Sequence, residues 1–374
     1  MGPRASRRSF LGAGLALPVF GAATAPPPVR YRVLGSAGLK VSEVGFGCLI
    51  SSDPAVLEKA AELGINYFDT ARSYQGGNNE RMVGAALKAR RKSVLIGTKT
   101  HAGTRAAALE DLETSLRELG TDYVDIWYLH AKSRPSQITD ELLESLAAAK
   151  KQGKVRFAGV STHSNQTGLI PALAANPQID VILASYNYTM GEEMSRVIRQ
   201  ARRAGKAIVA MKVMGGGLWR YLPGRPLREK FQPESRKMLA ALKWVLRNPE
   251  VDTAIPSMAD LDQLEENMRA MSEPFTEQDR RLLAAESERI RPYYCRTCGA
   301  CEGHCPKGLP VPDLLRALTY LDGYGQFQLA RESFLSLPEP VRAVRCRDCA
   351  ACAVRCPNGV LVAERLRRAQ EVLA

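Results

Sequence analysis

The chain predicts an α/β fold: an eight-stranded parallel β/α barrel followed by a small, mainly helical domain. Three observations carry this. Short apolar runs alternate with amphipathic stretches as far as about residue 275, the pattern of a parallel sheet wrapped by helices. Polar side chains stand where several of those runs end, and a β/α barrel keeps its chemistry at the carboxyl ends of its strands. Beyond Pro292 the composition turns to cysteine, proline and glycine, so a second domain begins there. The 374 residues accommodate one barrel of about 250 residues plus such an appendage.

In chain order, residues 1–25 read as a targeting segment. Ser6-Arg7-Arg8-Ser9-Phe10-Leu11 resembles the twin-arginine (Tat) export signal. The stretch from Leu11 to Ala25 is short and only mildly apolar for a membrane span. Ala23-Thr24-Ala25 looks like a cleavage site, with Pro26 directly after it hindering a peptidase. Cleavage after Ala23 and retention as an anchor both stay open; the alternative is a disordered basic amino terminus. Pro26-Pro27-Pro28 is a stiff spacer.

A hairpin from Arg30 to Leu39 is expected to plug the amino-terminal end of the barrel. Strands are expected near Val44–Phe46, Tyr67–Asp69, Val94–Thr98, Val124–Leu129, Val155–Ser161, Val181–Tyr186, Ala207–Met211 and Thr253–Ile255. Helices fill the gaps, among them Arg105–Leu119, Asp140–Gln152 and Ser235–Arg247. The connection from Val213 to Pro233, with Gly215-Gly216-Gly217 and Trp219, is long enough to be a pocket wall. A helix from Thr276 to Ile290 leads out of the barrel. The expected domains are therefore 1–25, 26–290 and 291–374. In the last of these, helical periodicity over Asp313–Leu335 breaks at Gly323 and Gly325, and Val362–Leu373 forms a final helix.

The net charge of +13 raises the question of nucleic acid. The basic residues are scattered and no nucleic-acid module appears, so that class of partner is set aside. Bound thiolates would also offset part of the formal charge. Cys48 stands alone among apolar residues and reads as a buried small side chain.

The first chemical constellation begins at Phe68-Asp69-Thr70-Ala71-Arg72-Ser73-Tyr74. A strand delivers Asp69 at its end, and Tyr74 follows in the next loop. Lys99 ends the strand that contains Thr98, and His130 ends the strand that contains Leu129. This ordered series resembles the aldo-keto reductases. The resemblance runs from about Tyr31 to Asn267 and includes Tyr31 to Gly35, Gly38 to Ser42, Glu80 with Gly84, and Gln263-Leu264-Glu265-Glu266-Asn267. It implies a TIM barrel, an oxidoreductase acting on CH–OH or C=O groups, and a small carbonyl or alcohol substrate. Asp69, Tyr74, Lys99 and His130 would be its catalytic tetrad.

The chemistry has a direct logic. Hydride addition to a carbonyl builds negative charge on oxygen, which must receive a proton. A free tyrosine, with a pKa of about 10, is a sluggish acid at neutral pH. A lysine ammonium beside Tyr74 is expected to lower that value, with Asp69 keeping Lys99 charged and aimed. His130 would orient or polarise the carbonyl. The competing reading is a buried Asp–Lys pair and a packed tyrosine.

The resemblance also implies a nicotinamide cofactor, NAD(P)H, or another tightly held two-electron cofactor. Its expected contacts are Ser161, Gly215, Gly216, Ser257, Gln263, Glu266 and Asn267. Thr162 stands where the family has Asn, and Leu183 where it has Gln. Ser257, Met258 and Gln263 replace the basic clamp on a 2′-phosphate, and neutral residues cannot supply its charge.

Eight of the nine cysteines form two copies of one pattern: Cys295-x2-Cys298-x2-Cys301-x3-Cys305-Pro306 and Cys346-x2-Cys349-x2-Cys352-x3-Cys356-Pro357. This is the spacing of bacterial-type [4Fe–4S] ligation, in which the fourth cysteine reaches the other cluster. By that motif Cys295, Cys298, Cys301 and Cys356 hold one cluster, and Cys346, Cys349, Cys352 and Cys305 its neighbour. Zinc needs only four ligands per site and leaves the repeated Cys-Pro unexplained. The helix-rich insert resembles the helical ferredoxin modules of respiratory dehydrogenases. His304 is incidental.

These signals describe an exported oxidoreductase whose carbonyl/alcohol chemistry is coupled to electron transfer through two [4Fe–4S] clusters. It would reside in the periplasm or on the outer face of the cytoplasmic membrane, with no membrane span beyond a retained signal anchor. Its partners would be the Tat export machinery and a redox partner protein. Two alternatives are a non-catalytic redox-relay or assembly subunit with a scaffold barrel, and an NAD(P)H-dependent reductase with purely structural clusters. Under the first reading the cluster domain should pack beside a pocket bounded by Tyr74, His130 and the Gly215–Pro233 loop.

Overall fold

The computed structural model describes residues 28–220 and 235–374. The expected targeting segment 1–25 and positions 221–234 of the long connection lie outside the described residues.

The chain opens with a hairpin. β1 (Tyr31–Leu34) and β2 (Leu39–Ser42) pair antiparallel, with Tyr31 opposite Ser42. Leu34 and Val41 join the apolar filling of the barrel interior. The backbone N–H of Gly35 donates to Asp252 Oδ2 at 3.2 Å, which ties the hairpin across the barrel's amino-terminal end.

Eight parallel strands follow. They are β3 (Phe46–Gly47), β4 (Tyr67–Asp69), β5 (Leu95–Thr100), β6 (Val124–Leu129), β7 (Val155–Thr162), β8 (Val181–Ser185), β9 (Ala207–Met211) and β10 (Thr253–Ala254). Each pairs with its sequence neighbour. The ring closes between its ends through a parallel bridge from Val44 to Ala254, where Gly45 N–H donates to the Ala254 carbonyl at 2.8 Å. A closed ring leaves no edge strand unpaired.

Helices α1 (Pro54–Glu62), α2 (Asn78–Leu87), α3 (Arg105–Leu119), α4 (Asp140–Lys151), α5 (Gln166–Ala175), α6 (Glu192–Arg203), α7 (Ser235–Leu246) and α8 (Leu261–Arg269) surround it. Side chains of Thr104, Thr139 and Asp260 cap the starts of α3, α4 and α8 by accepting a backbone N–H, which satisfies one orphan donor at each. A Cβ on Gly84 would meet the Leu119 carbonyl oxygen at 2.4 Å. Only glycine lets α2 lie that close to α3.

Two apolar layers stabilise the barrel. One lies between strands and helices, with Phe46, Phe68, Trp127, Leu142 and Ile198. The other fills the interior with Tyr67, Ile126, Tyr128, Leu183 and Val209. There the hydroxyls of Tyr67 and Tyr128 bond each other at 2.8 Å, so neither buried phenol is left unsatisfied.

α9 (Glu277–Ile290) starts with a reciprocal Thr276–Asp279 cap and leads to the second domain. That domain holds α10 (Val311–Asp322), α11 (Phe327–Leu335), α12 (Glu339–Ala343) and α13 (Val362–Leu373). Its core is small: Leu314, Leu315, Ala330, Phe334, Leu366 and Leu373, with cysteines at its margin. Asp322 bonds Arg365 at 2.6 Å and Arg368 at 2.8 Å, joining α10 to α13.

The second domain rests on the carboxyl face of the barrel. Asn165 N–H, after β7, donates to the Thr297 carbonyl at 3.1 Å. A Cβ on Gly323 would meet the Gly216 carbonyl oxygen at 1.8 Å, so two backbones touch there because neither glycine has a side chain. Among the described residues no helix is long and apolar enough to cross a membrane.

Candidate active site and cluster sites

Asp69 ends β4, Lys99 lies near the end of β5, and His130 directly follows β6. Lys99 Nζ donates to Asp69 Oδ1 at 2.5 Å, to the Thr70 carbonyl at 2.6 Å and to Tyr74 Oη at 3.4 Å. The Tyr74 and His130 rings meet edge-on with centroids 6.0 Å apart. The four residues predicted from the sequence therefore come together at one barrel mouth. Glu80 fixes the intervening loop: buried, it pairs with Arg72 and accepts from Thr98 Oγ1 at 2.6 Å.

The electrostatics differ from expectation in one respect. Tyr74 is held well above the ordinary phenol value, first by burial and then by the charge of Asp69. Lys99 does not reverse this, because its ammonium is already committed to Asp69 and the Thr70 carbonyl. Burial also outweighs Lys99 at Asp69 and raises its carboxyl. Tyr74 is thus held in its protonated form.

His130 has two imidazole neighbours that the sequence reading passed over. His101, just after β5, stacks on it with centroids 4.0 Å apart, and His163, just after β7, lies 6.0 Å away. Burial and nearby cations hold all three down, His101 to about 4. The signal was present: three of the four histidines in the chain sit at the ends of three consecutive strands.

These groups line a cavity of about 570 Å³. Its floor includes Cys48, whose thiol burial pushes up. Its roof comes from the second domain, through Arg316, Tyr320 and Tyr324 on and after α10 and Leu329 and Glu332 on α11. The cluster domain thus packs over the pocket bounded by Tyr74 and His130.

The expected cofactor contacts divide. Ser257, Gln263, Glu266 and Asn267 line the cavity. Ser161 does not: its Oγ accepts from Ala131 N–H at 2.8 Å and holds the loop after β6. Gly215 and Gly216 do not either. Added Cβ atoms there would meet Tyr188 and Tyr294 at 2.8 and 2.6 Å, so Gly215 serves close packing within the barrel mouth and Gly216 close packing under the second domain. Gln263 is occupied partly with its own helix start, donating to Asp260 and accepting from Ala259 N–H.

The cysteines gather as the spacing implies. The thiols that act electrostatically on Cys295 are those of Cys301, Cys298 and Cys356. Those acting on Cys346 are Cys305, Cys349 and Cys352. Each set of four takes three cysteines from one motif and one from the other, and none of the nine is in a disulfide. Four thiolates per set suit one [4Fe–4S] cube. Asn358 Nδ2 and Thr297 N–H donate to the sulfurs of Cys298 and Cys295, both at 3.4 Å.

A closed β/α barrel with an acid, a lysine, a phenol and an imidazole at its mouth defines an oxidoreductase acting on carbonyl or alcohol groups. The chain belongs to the aldo/keto reductase family, whose model matches residues 51–239, and it continues into a 4Fe-4S dicluster domain matching residues 294–361. It is 29% identical over 284 residues to L-galactose dehydrogenase of Arabidopsis thaliana, covering 66% of this chain and 89% of that one. To L-glyceraldehyde 3-phosphate reductase of Escherichia coli it is 25% identical over 305 residues, covering 65% and 88%. An aldo-keto reductase of Bacillus halodurans, solved in its holo form, superposes with a TM-score of 0.58 at 28% identity, covering 69% of this chain and 96% of that chain.

Proposed function

We propose that this protein is an exported oxidoreductase that interconverts a small carbonyl compound and its alcohol at Asp69, Tyr74, Lys99 and His130, coupled to electron transfer through two [4Fe–4S] clusters. One observation carries the reading. The Lys99 ammonium is bonded to Asp69 and within 3.4 Å of the Tyr74 hydroxyl, and Asp69 and Tyr74 line a cavity roofed by the cluster domain.

In the reducing direction Tyr74 releases its proton to the carbonyl oxygen as negative charge builds there. Lys99 stabilises the phenolate left behind, and Asp69 holds Lys99 in place. The neutral His130 orients the carbonyl through a ring N–H. A two-electron carrier bound in the cavity would supply the hydride equivalent that the carbonyl carbon takes up. The adenosine end of a nicotinamide dinucleotide would be held by Ser257, Glu266 and Asn267, with no cation among Ser257, Met258 and Gln263 to grip a 2′-phosphate. Clusters held by Cys295, Cys298, Cys301 and Cys356 and by Cys346, Cys349, Cys352 and Cys305 would exchange electrons one at a time between a redox partner protein and that two-electron carrier, two for each hydride equivalent. Relatives named as a dehydrogenase of L-galactose and a reductase of L-glyceraldehyde 3-phosphate support a small polyhydroxylated substrate.

Export rests on Ser6-Arg7-Arg8-Ser9-Phe10-Leu11 and would place the protein in the periplasm or on the outer face of the cytoplasmic membrane, carried folded by the Tat machinery. A retained leader would be its anchor. The test is anaerobic purification followed by visible and paramagnetic spectra before and after NADH, NADPH and dithionite. Cluster reduction by dithionite together with carbonyl turnover supports the reading. Clusters that neither donor nor substrate ever reduces or oxidises would reject the coupling and leave a structural role.

A further inference from the structure

Two cations, one from each domain, line the same cavity, and the carbonyl chemistry gives neither a role. Lys212 follows β9 on a left-handed backbone, φ 54°, a conformation that a residue with a Cβ adopts only under constraint. Its ammonium lies 5.0 Å from the Tyr320 ring centroid and 5.9 Å from that of Tyr324. Arg316 stands one turn before Tyr320 on α10, so both project from the same helix face. Lys212, Arg316, Tyr320 and Tyr324 all line the cavity.

Among the described residues, only Arg316 of the two has a carboxylate partner. Among the described residues Lys212 meets the Tyr320 and Tyr324 rings and the Tyr320 hydroxyl, and no carboxylate. Arg316 pairs at 2.9 Å with Asp313, whose side chain is 40% exposed, an arrangement that screens little of its charge inward. Asp69 is already spent on Lys99; of the other carboxylates lining the cavity, Glu332 accepts from Gln328 Nε2 at 2.8 Å and Glu266 lies on α8 beside Asn267. The excess positive field reaches the reacting end: Arg316 helps hold His101, His130 and His163 neutral, and Lys212 acts on His163. The buried His130 also has an Nδ1 without a hydrogen-bond partner. An enclosed cation without a counter-charge is costly, and a ligand anion removes that cost.

We infer that Lys212 and Arg316 form an anion-binding subsite across the domain seam, and that the substrate is a carbonyl or alcohol compound carrying a carboxylate or a phosphate. Arg316 offers a planar fork and Lys212 a point charge, a combination suited to either group. The inference rests on the carbonyl/alcohol reading for the reacting end alone; anion capture stands without turnover. It also gives the cluster domain a part in substrate recognition, because Arg316 is not a barrel residue.

The experiment is calorimetric titration of the full, anaerobically purified protein with inorganic phosphate, with pyruvate and with the neutral ketone acetone. Wild type should bind phosphate and pyruvate, more weakly as salt rises, and acetone hardly at all. Lys212→Met and Arg316→Met should each weaken both anions by about tenfold or more, and Arg316→Lys should recover part of the loss. Visible cluster absorbance equal to wild type confirms folding; a variant that loses it is replaced by Lys212→Gln or Arg316→Gln. Tyr74→Phe should keep anion affinity, so lost turnover and a lost subsite are told apart. Unchanged anion affinity in both cation variants, or no anion binding by wild type, overturns the inference. It also fails if the variants lose ADP-ribose but not phosphate or pyruvate, since the pair would then serve a dinucleotide's pyrophosphate.

Discussion

Asn187 Nδ2 donates to the hydroxyl of Tyr294 at 3.0 Å. Asn187 lies just beyond β8 at the barrel mouth, and Tyr294 is the residue before the first cluster cysteine, Cys295. This bond ties the site where substrate chemistry is expected to the chain that wraps a cluster. It works beside the backbone contact of Gly216 with Gly323, and the two differ in how much they resist change.

Tyr294→Phe keeps the packed ring and removes one hydrogen bond, at a cost of about 1 kcal/mol. The Asn187 amide retains its bond to the Lys212 carbonyl. Gly323→Ala instead drives a methyl into the Gly216 carbonyl and should cost about 1–3 kcal/mol by overpacking. Thermal unfolding of the two cluster-loaded variants checks the order; a milder effect from Gly323→Ala would contradict the seam as described.

Tyr74→Phe should lower carbonyl turnover by at least about 100-fold, because the hydroxyl is the proton source. Cluster spectra and melting temperature should stay close to wild type, since the ring supplies most of the packing. Activity retained in this variant would show that another group is the acid.

Iron analysis should find about eight irons per chain. Cys298→Ser and Cys356→Ser should damage the same cluster despite lying in different motifs, whereas Cys305→Ser should damage the other. Paramagnetic spectra of the reduced variants distinguish the two patterns. Zinc without iron under strict anaerobiosis would refute the assignment.

The pH dependence has a definite sign. Burial first, then His101 and Lys99, hold His130 well below 6.5. In the unfolded chain this imidazole takes a proton near pH 6.5, while in the folded protein it does so only at much lower pH. The unfolded state then binds more protons, so the stability due to this group falls as pH drops below 6.5. His130→Gln should narrow the gap in melting temperature between pH 8 and pH 5.5. Wild-type kcat/KM should also lack an acid limb near pH 6.5, and a clear limb there would mean that His130 is accessible and titrates normally.

Asp322 lies under two guanidiniums, with its side chain and that of Arg365 no more than 2% exposed. Asp322→Ala leaves Arg365 buried without its counter-charge and should cost about 3–5 kcal/mol. With so small an apolar core, the second domain should then lose its clusters faster on warming, visible as bleaching of the absorbance ahead of barrel unfolding measured by far-ultraviolet circular dichroism. Simultaneous loss would mean that barrel and cluster domain unfold as one unit.

The sequence by itself determined the barrel, the four residues at its mouth and the two cysteine sets. Each is written locally: strands as short apolar runs, the site as side chains at strand ends, the ligands as fixed short spacings. Tyr67–Asp69, Arg105–Leu119 and Val362–Leu373 have the bounds that their patterns predicted. Tertiary structure alone decided what lies between the domains. Gly215 and Gly216 looked like cofactor contacts, yet Tyr188 and Tyr294 crowd the space that a side chain would need there. Ser161 matched a family position, yet its hydroxyl is spent on Ala131. Lys212 and Arg316 have no common period or motif, and only the docking of α10 over the barrel mouth makes them neighbours of one cavity. Close approach between distant segments depends on the complementarity of two finished surfaces, and no local pattern in either segment encodes it.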